Sequence, residues 1–409
     1  MPAEGSGPYG PAHQEWLLER LAHYLGRTVS ETDLLAGCEL DSVAALSLYG
    51  DIEEQFGSII DLDDIWAHRT VGDLARHMAY RDMRRTPRTV RTAFVFTGQG
   101  CQYPGMTAGL YLDSATYRGH LDEAADALSP LLKTSIVDLI LSEDPRIHRT
   151  AYAQVALFAV EYALARALEA SGVVPVAVLG HGIGEFAAAV VAGALALPDA
   201  ARLIALRAAF TQYLPPGGGM MAACASPDEV APLVAREPDV DIGVLNAARS
   251  TVLSGEVTGL RRIEESLLAQ GIKCRHLPVT HAFNSPRMAP VVPKFEAAAR
   301  RVPGGSPRLP FYSTVDGGLV NGPLHAPHWS RQLTAPIRFA EAVRAMLSQQ
   351  EPTHVVEVGP RPVLTPYLRR LGSPACIPVC PRADCDAVDL AGVISALDAG
   401  PLAAEPASA

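Results

Sequence analysis

The chain has 409 residues, 48% apolar and 19% charged, with a mean hydropathy of +0.13 and a formal net charge of −10. That is enough apolar material for large buried cores in about two to three domains, which excludes a wholly disordered chain. Residues 1–82 hold 15 acidic against 5 basic side chains while residues 83–409 hold 29 of each, and so acidic a first fifth excludes nucleic acid as its partner, because phosphate binding needs a basic face.

The opening MPAEGSGPYG has no Lys, no Arg and no apolar stretch, so no secretory leader is expected there. Residues 15–24 predict a helix with apolar Trp16, Leu17, Leu21 and Tyr24, and residues 43–56 predict a second with Val43, Leu46 and Ile52 near helical spacing. A third, shorter helix is expected over 71–78, with loops at 28–37 and 57–64, which together make a small α-helical bundle over residues 1–82. Arg84, Arg85, Arg88 and Arg91 around Thr86 and Pro87 then read as a basic linker, 83–91.

From Thr92 onward strands alternate with helices. The apolar run 93–96 stops at Gly98-Gln99-Gly100, a long helix is expected over 151–170, and a second apolar run, 173–179, stops at Gly180. Continuous apolar strands interleaved with helices imply a parallel sheet covered on both faces. The longest uncharged apolar stretch, 186–197, is too short to span a bilayer, so no membrane segment is expected. Within 219–279 the order changes to strand 220–224, helix 227–235, strands 240–246 and 251–255, helix 260–269 and strand 273–279, a βαββαβ pattern that predicts an inserted ferredoxin-like subdomain. The chain returns to the larger body at 310–312 and 354–358. Residues 389–409 are expected to be a C-terminal helix and a frayed Pro/Ala-rich tail.

Seven cysteines occur without a CxxC spacing, and no His/Glu ligand pattern or GxGxxG follows a strand, so neither a metal nor a nicotinamide site is expected. Free thiols suit a reducing compartment, and a cytoplasmic location is expected.

Two stretches carry chemistry. Asp41-Ser42 stands before a helix, where such a pair often serves only as an N-cap. Here it is followed by Val43, Leu46 and Leu48, then Glu53-Glu54-Gln55-Phe56-Gly57 and Thr70-Val71-Gly72-Asp73-Leu74, and over about 65 residues the stretch resembles an acyl carrier protein. The resemblance implies a four-helix carrier bundle in which Ser42 bears 4'-phosphopantetheine, attached by a phosphopantetheinyl transferase. It also implies that the helix bearing Asp51, Glu53 and Glu54 meets basic partner enzymes.

The second stretch, Gly180-His181-Gly182-Ile183-Gly184-Glu185, has the frame of a strand-turn-helix elbow that holds a nucleophile in a sharp turn, but its centre is Gly182. Phe96-Thr97-Gly98-Gln99-Gly100-Cys101-Gln102, residues 154–162, Arg207, Gly217-Gly218-Gly219-Met220, Asn246-Ala247-Ala248, His281-Ala282-Phe283 and Val358-Gly359-Pro360 accompany it. With these, residues 92–388 resemble the acyltransferase domain of modular polyketide synthases. The resemblance implies an α/β-hydrolase-like body, a Ser at the elbow that attacks an acyl thioester, and a His closing a His-Ala-Phe-His segment. Gly182 and Asn284 stand at those two positions. Gly182 has no oxygen to attack with, and the Asn284 amide does not titrate near neutral pH. Loss of either residue from a serine hydrolase costs roughly 10⁶ in turnover, so ordinary acyl-serine transfer is not expected.

The implied substrate-binding positions are retained. Gln99 and Gln102 lie in the loop that by this resemblance borders the oxyanion hole, and Arg207 matches the arginine that pairs a free malonyl carboxylate with its guanidinium fork. Ile183 and His281-Ala282-Phe283 match the malonyl-selective form, and Asn246 is a further substrate-binding position. His181 and His281 are the remaining acid or base candidates. Cys101 is either a surrogate nucleophile or a small buried residue. The resemblances imply a polyketide-type didomain of secondary metabolism, partnered by other synthase components, in which the carrier presents an acyl thioester to a pseudo-acyltransferase that works without an acyl-serine. A non-catalytic docking module, a transferase with a surrogate nucleophile, or a laboratory-inactivated enzyme are the alternatives.

Overall fold

Leu17, Leu21, Ala45, Leu48, Ile52, Ile65, Leu74 and Met78 recur at helical spacing, and their burial together builds the N-terminal unit. It consists of α1 (Gly10–Leu25), α2 (Ser42–Phe56), the single-turn α3 (Asp64–Ala67) and α4 (Val71–Arg84). The computed structural model describes residues 10–35, 42–57, 59–84, 90–382 and 386–398, and the chain divides near residue 89 into two units. Asp41, Cys38, Arg85, Arg88, Cys385, the 400–409 tail and the side chains of Ser42, Val43 and Glu54 lie outside what is described.

Leu46 departs from the expected core. It is 59% exposed while Ala45, Leu48 and Ile52 are buried, because a neighbour one position along a helix is rotated by about 100° from the buried stripe. Helix α4 starts at a reciprocal cap, with Asp73 N donating to Thr70 Oγ1 and Thr70 N donating to Asp73 Oδ2, each at 3.1 Å. It runs to Arg84, past the expected end at 78.

The C-terminal unit has a six-stranded sheet in the order β10-β9-β1-β2-β7-β8. Its strands are β1 (Thr92–Phe96), β2 (Pro175–Gly180), β7 (Phe311–Ser313), β8 (Gly318–Leu319), β9 (His354–Val358) and β10 (Ala375–Pro378). All pairings are parallel except β7 with β8, and every residue of β1 and β9 is buried, as the continuous apolar runs require. The helix Thr150–Ala170 is buried along most of its length.

The subdomain is antiparallel, in the order β4-β5-β3-β6, built from β3 (Gly218–Ala223), β4 (Val240–Ala247), β5 (Ser250–Glu256) and β6 (Cys274–His276), with helices Pro227–Val234 and Val257–Ala269 between them. This is the βαββαβ arrangement read from the sequence. The last strand is shorter than the expected 273–279, since Pro278 has no N–H to give to a ladder. Edge strand β10, flanked by Pro374 and closed by Pro378, had no strand-like sequence signal, but an edge tolerates the missing donors. The expected C-terminal helix forms over Leu390–Asp398 and sinks Val393 and Leu397 into the body's core.

Candidate functional site

Strand β2 ends at Gly180 and the helix Gly184–Val191 begins four residues later, so the intervening turn is very tight. Gly182 sits in it at φ +56°, a left-handed conformation that favours glycine, and its carbonyl accepts the Glu185 N–H at 3.1 Å. At Gly184 a side chain would overlap the Thr97 carbonyl, so only glycine lets the helix start this close to β1.

The elbow opens on a cavity of about 140 Å³ lined by eight of the residues singled out from the sequence: Gln99, His181, Gly182, Ile183, Arg207, Asn246, Phe283 and Asn284. Met220, Val244, Val252, Leu277, Val279 and Ile337 supply its apolar remainder. Ser42 belongs to the other unit.

Arg207 is 3% exposed. Its Nη1 donates to Gln154 Oε1 at 2.8 Å, and Gln154 Nε2 donates to Gln99 Oε1 at 3.0 Å, so side-chain amides link the guanidinium to the loop after β1. Its Nε is buried without a partner, and among the described residues no carboxylate comes within ion-pair distance. Burial lowers its pKa to about 10, which still leaves it charged at neutral pH. A buried cation without a counter-ion is costly, and an anion entering the cavity would relieve that cost.

His181 Nε2 lies 3.0 Å from Asn246 Oδ1, and its ring stands edge-on to Phe339. Burial depresses its pKa, so the imidazole is neutral near pH 7. Asn284, at φ +54°, donates from Nδ2 to the carbonyls of Gln332 and Ala335 at 3.1 and 3.0 Å. Gln332 Nε2 donates to the Gly182 carbonyl at 2.9 Å. One residue therefore fastens both unusual positions, and nothing in the sequence pattern pointed to it.

Behind the elbow, the fully buried Glu185 accepts from Thr314 N at 2.6 Å, from Thr314 Oγ1 at 2.7 Å and from His328 Nε2 at 3.1 Å. Asp316 Oδ2 faces the other His328 nitrogen at 3.7 Å. Burial opposes the imidazolium, but Asp316 and Glu185 outweigh it and raise its pKa to about 9. A histidine raised in the folded state adds stability that is complete below its unfolded pKa of about 6.5 and is lost as pH rises through the folded value. The melting temperature should therefore fall between about pH 6.5 and 9, and His328→Gln should flatten that slope. An unchanged slope in the variant would assign the fall to other groups.

Three sequence candidates lie elsewhere. His281 is corrected: it lines a separate groove of about 650 Å³ with Gly218, Asp239 and Arg287, and its Nδ1 is 2.9 Å from Thr280 Oγ1. Gln102 turns back on its own loop to accept the Gly100 N–H at 2.8 Å. Cys101 is 1% exposed, with Sγ 3.0 Å from Thr97 Oγ1 and 3.2 Å from the Gly98 carbonyl. Burial pushes its thiol well up, which disfavours the thiolate, and the residue packs outside the cavity lining.

Among the described residues no group of three or more His, Cys, Asp or Glu is placed to hold a metal, and no helix is long and apolar enough to cross a membrane. Ser42 is the first residue of α2.

Residues 93–384 match the acyl transferase domain family, and residues 15–78 match the phosphopantetheine attachment site family. The chain is 39% identical over 278 residues, 66% of its length, to polyketide synthase GfsA of Streptomyces halstedii, of which it spans only 4%. It is 36% identical over 310 residues to the phenolphthiocerol synthesis polyketide synthase Pks15/1 of Mycobacterium marinum, 75% of this chain and 15% of that one. Among solved structures, a loading acyltransferase from the avermectin modular polyketide synthase is matched over its whole length and 76% of this chain, at 32% identity and a TM-score of 0.70.

Proposed function

The chain belongs to the acyl transferase family of polyketide synthase type, fused behind a phosphopantetheine-bearing carrier, and from that premise we propose that its cavity takes a carboxyacyl thioester without forming an acyl-serine. The single observation that carries this reading is the buried, unpaired charge of Arg207 beside an elbow with no nucleophile. The prosthetic group, 4'-phosphopantetheine, supplies a thiol on a long arm that carries acyl groups as thioesters, and Ser42 is its attachment point in this proposal. A phosphopantetheinyl transferase and other synthase components are the partners this implies.

Each cavity residue has a part. The Arg207 fork binds the free carboxylate of the acyl group, oriented by Gln154. Ile183, directly after Gly182, and Gln99 line the cavity and are the residues assigned here to the thioester carbonyl. Gly182 and Asn284 stand where the transferase serine and histidine would be: glycine offers no oxygen, and the donors of Asn284 are spent on two carbonyls. Pairing with Arg207 stabilises the carboxylate in the ground state and so opposes loss of carbon dioxide. Chemistry at the thioester carbonyl or the adjacent carbon fits better, with His181 the lining imidazole, although burial disfavours its protonated form.

One observation favours a second reading, a holding and docking module. His181 Nε2 is engaged by Asn246 and burial disfavours the imidazolium, which makes the ring a poor proton acceptor in the cavity. Intact-protein mass spectrometry of the holo protein, charged with malonyl, longer carboxyacyl or aminoacyl groups, separates the two. A timed change in the carried mass that is absent in Arg207→Ala supports an enzyme. A mass that stays constant supports the holding module, and an adduct on the protein outside Ser42 refutes both.

A further inference from the structure

The space above Gly182 is not open. A Cβ built on this residue would stand 3.0 Å from Cδ1 of Ile337, closer than side-chain carbons ordinarily pack. Ile337 is 7% exposed and lines the same cavity as Gly182 and Asn284. Its backbone is pinned on both sides, with Ile337 N donating to the Gly243 carbonyl and Leu245 N donating to the Ile337 carbonyl, each at 2.8 Å. These two bonds form a parallel bridge to β4, so relief must come from the side chain alone.

We infer that Ile337 is a third determinant of the missing acyl-serine chemistry: its δ-methyl covers the elbow carbon where a nucleophile's side chain would project. The inference rests on the proposed reading that residues 182 and 284 are the vacated serine and histidine positions. The site is thus closed by hydrocarbon as well as by loss of the oxygen and the base. Ile337→Val removes just the covering methyl and leaves the backbone bridge in place. A serine at residue 182 would still have to accept the left-handed φ, which favours glycine over any side chain.

The test compares Gly182→Ser/Asn284→His with Gly182→Ser/Asn284→His/Ile337→Val in the full chain with its carrier unmodified, using malonyl-coenzyme A and intact-protein mass spectrometry. In the acylation step the introduced hydroxyl oxygen bonds the acyl carbon, the carbon–sulfur bond breaks, and the hydroxyl proton passes through the introduced imidazole to the departing thiolate. The triple variant should gain the malonyl mass at least 10-fold faster than the double. Equal rates would overturn the role of Ile337 while leaving the parent reading intact. If neither variant is acylated the parent reading falls, and melting temperatures of Gly182→Ser, Ile337→Val and their combination decide the steric point. Ile337→Val should lower the melting temperature of the natural chain but not that of Gly182→Ser, whereas additive shifts would overturn it.

Discussion

Arg207→Ala is expected to weaken binding of malonyl-coenzyme A by about 100-fold or more. Truncating one partner of a buried, hydrogen-bonded charge pair costs about 2–5 kcal/mol, and about 2.7 kcal/mol already corresponds to 100-fold. The arrangement here favours the upper part of that range, because the guanidinium is buried, has no protein counter-ion among the described residues and keeps its Nε unsatisfied. The same feature predicts an unusual stability result. Removing an uncompensated buried cation relieves a desolvation penalty, so Arg207→Ala should melt no lower than the natural chain even as it loses the ligand. Titration calorimetry with malonyl-coenzyme A, beside acetyl-coenzyme A as the control without a free carboxylate, measures the effect. An unchanged Kd, or equal affinity for the two thioesters, would remove the carboxylate from the proposed function.

Ser42→Ala is expected to abolish the mass gain that coenzyme A and a phosphopantetheinyl transferase produce on the natural chain. This effect is all-or-none, because the modification is a bond to one hydroxyl and alanine has none. Alanine is also the best of helix formers, and position 42 is the first residue of α2, so the variant should keep its helical circular dichroism and its melting temperature. A mass gain that persists in Ser42→Ala would move the attachment to another residue of the carrier unit. No gain on the natural chain would leave that unit a carrier in fold only.

The sequence was legible where a pattern is local. Apolar runs marked β1, β2 and β9, and the strand–helix order of 219–279, with its one direct strand-to-strand turn between β4 and β5, carried the subdomain's topology. Side-chain direction within α2 was less legible: Leu46 and Leu48 look alike as letters, yet only one faces the core. The cavity was readable through short motifs, which brought eight residues together as expected. His281 was misplaced because it is two residues from Phe283, which does line the cavity, and that spacing says nothing about direction in an irregular segment. Gln332, Ile337 and the Glu185–His328–Asp316 cluster were not readable. They come from 130 or more residues after the elbow, or meet partners that far away, and only the tertiary fold sets their pairing.

The bridge between Ile337 and β4 constrains how the cavity can behave. Two backbone hydrogen bonds fasten a residue of the elbow's own roof to a strand of the ferredoxin-like subdomain, so the subdomain cannot swing away from the elbow like a jaw without breaking both. The recess is a mould more than a mouth. Opening the recess along this seam would cost two backbone hydrogen bonds.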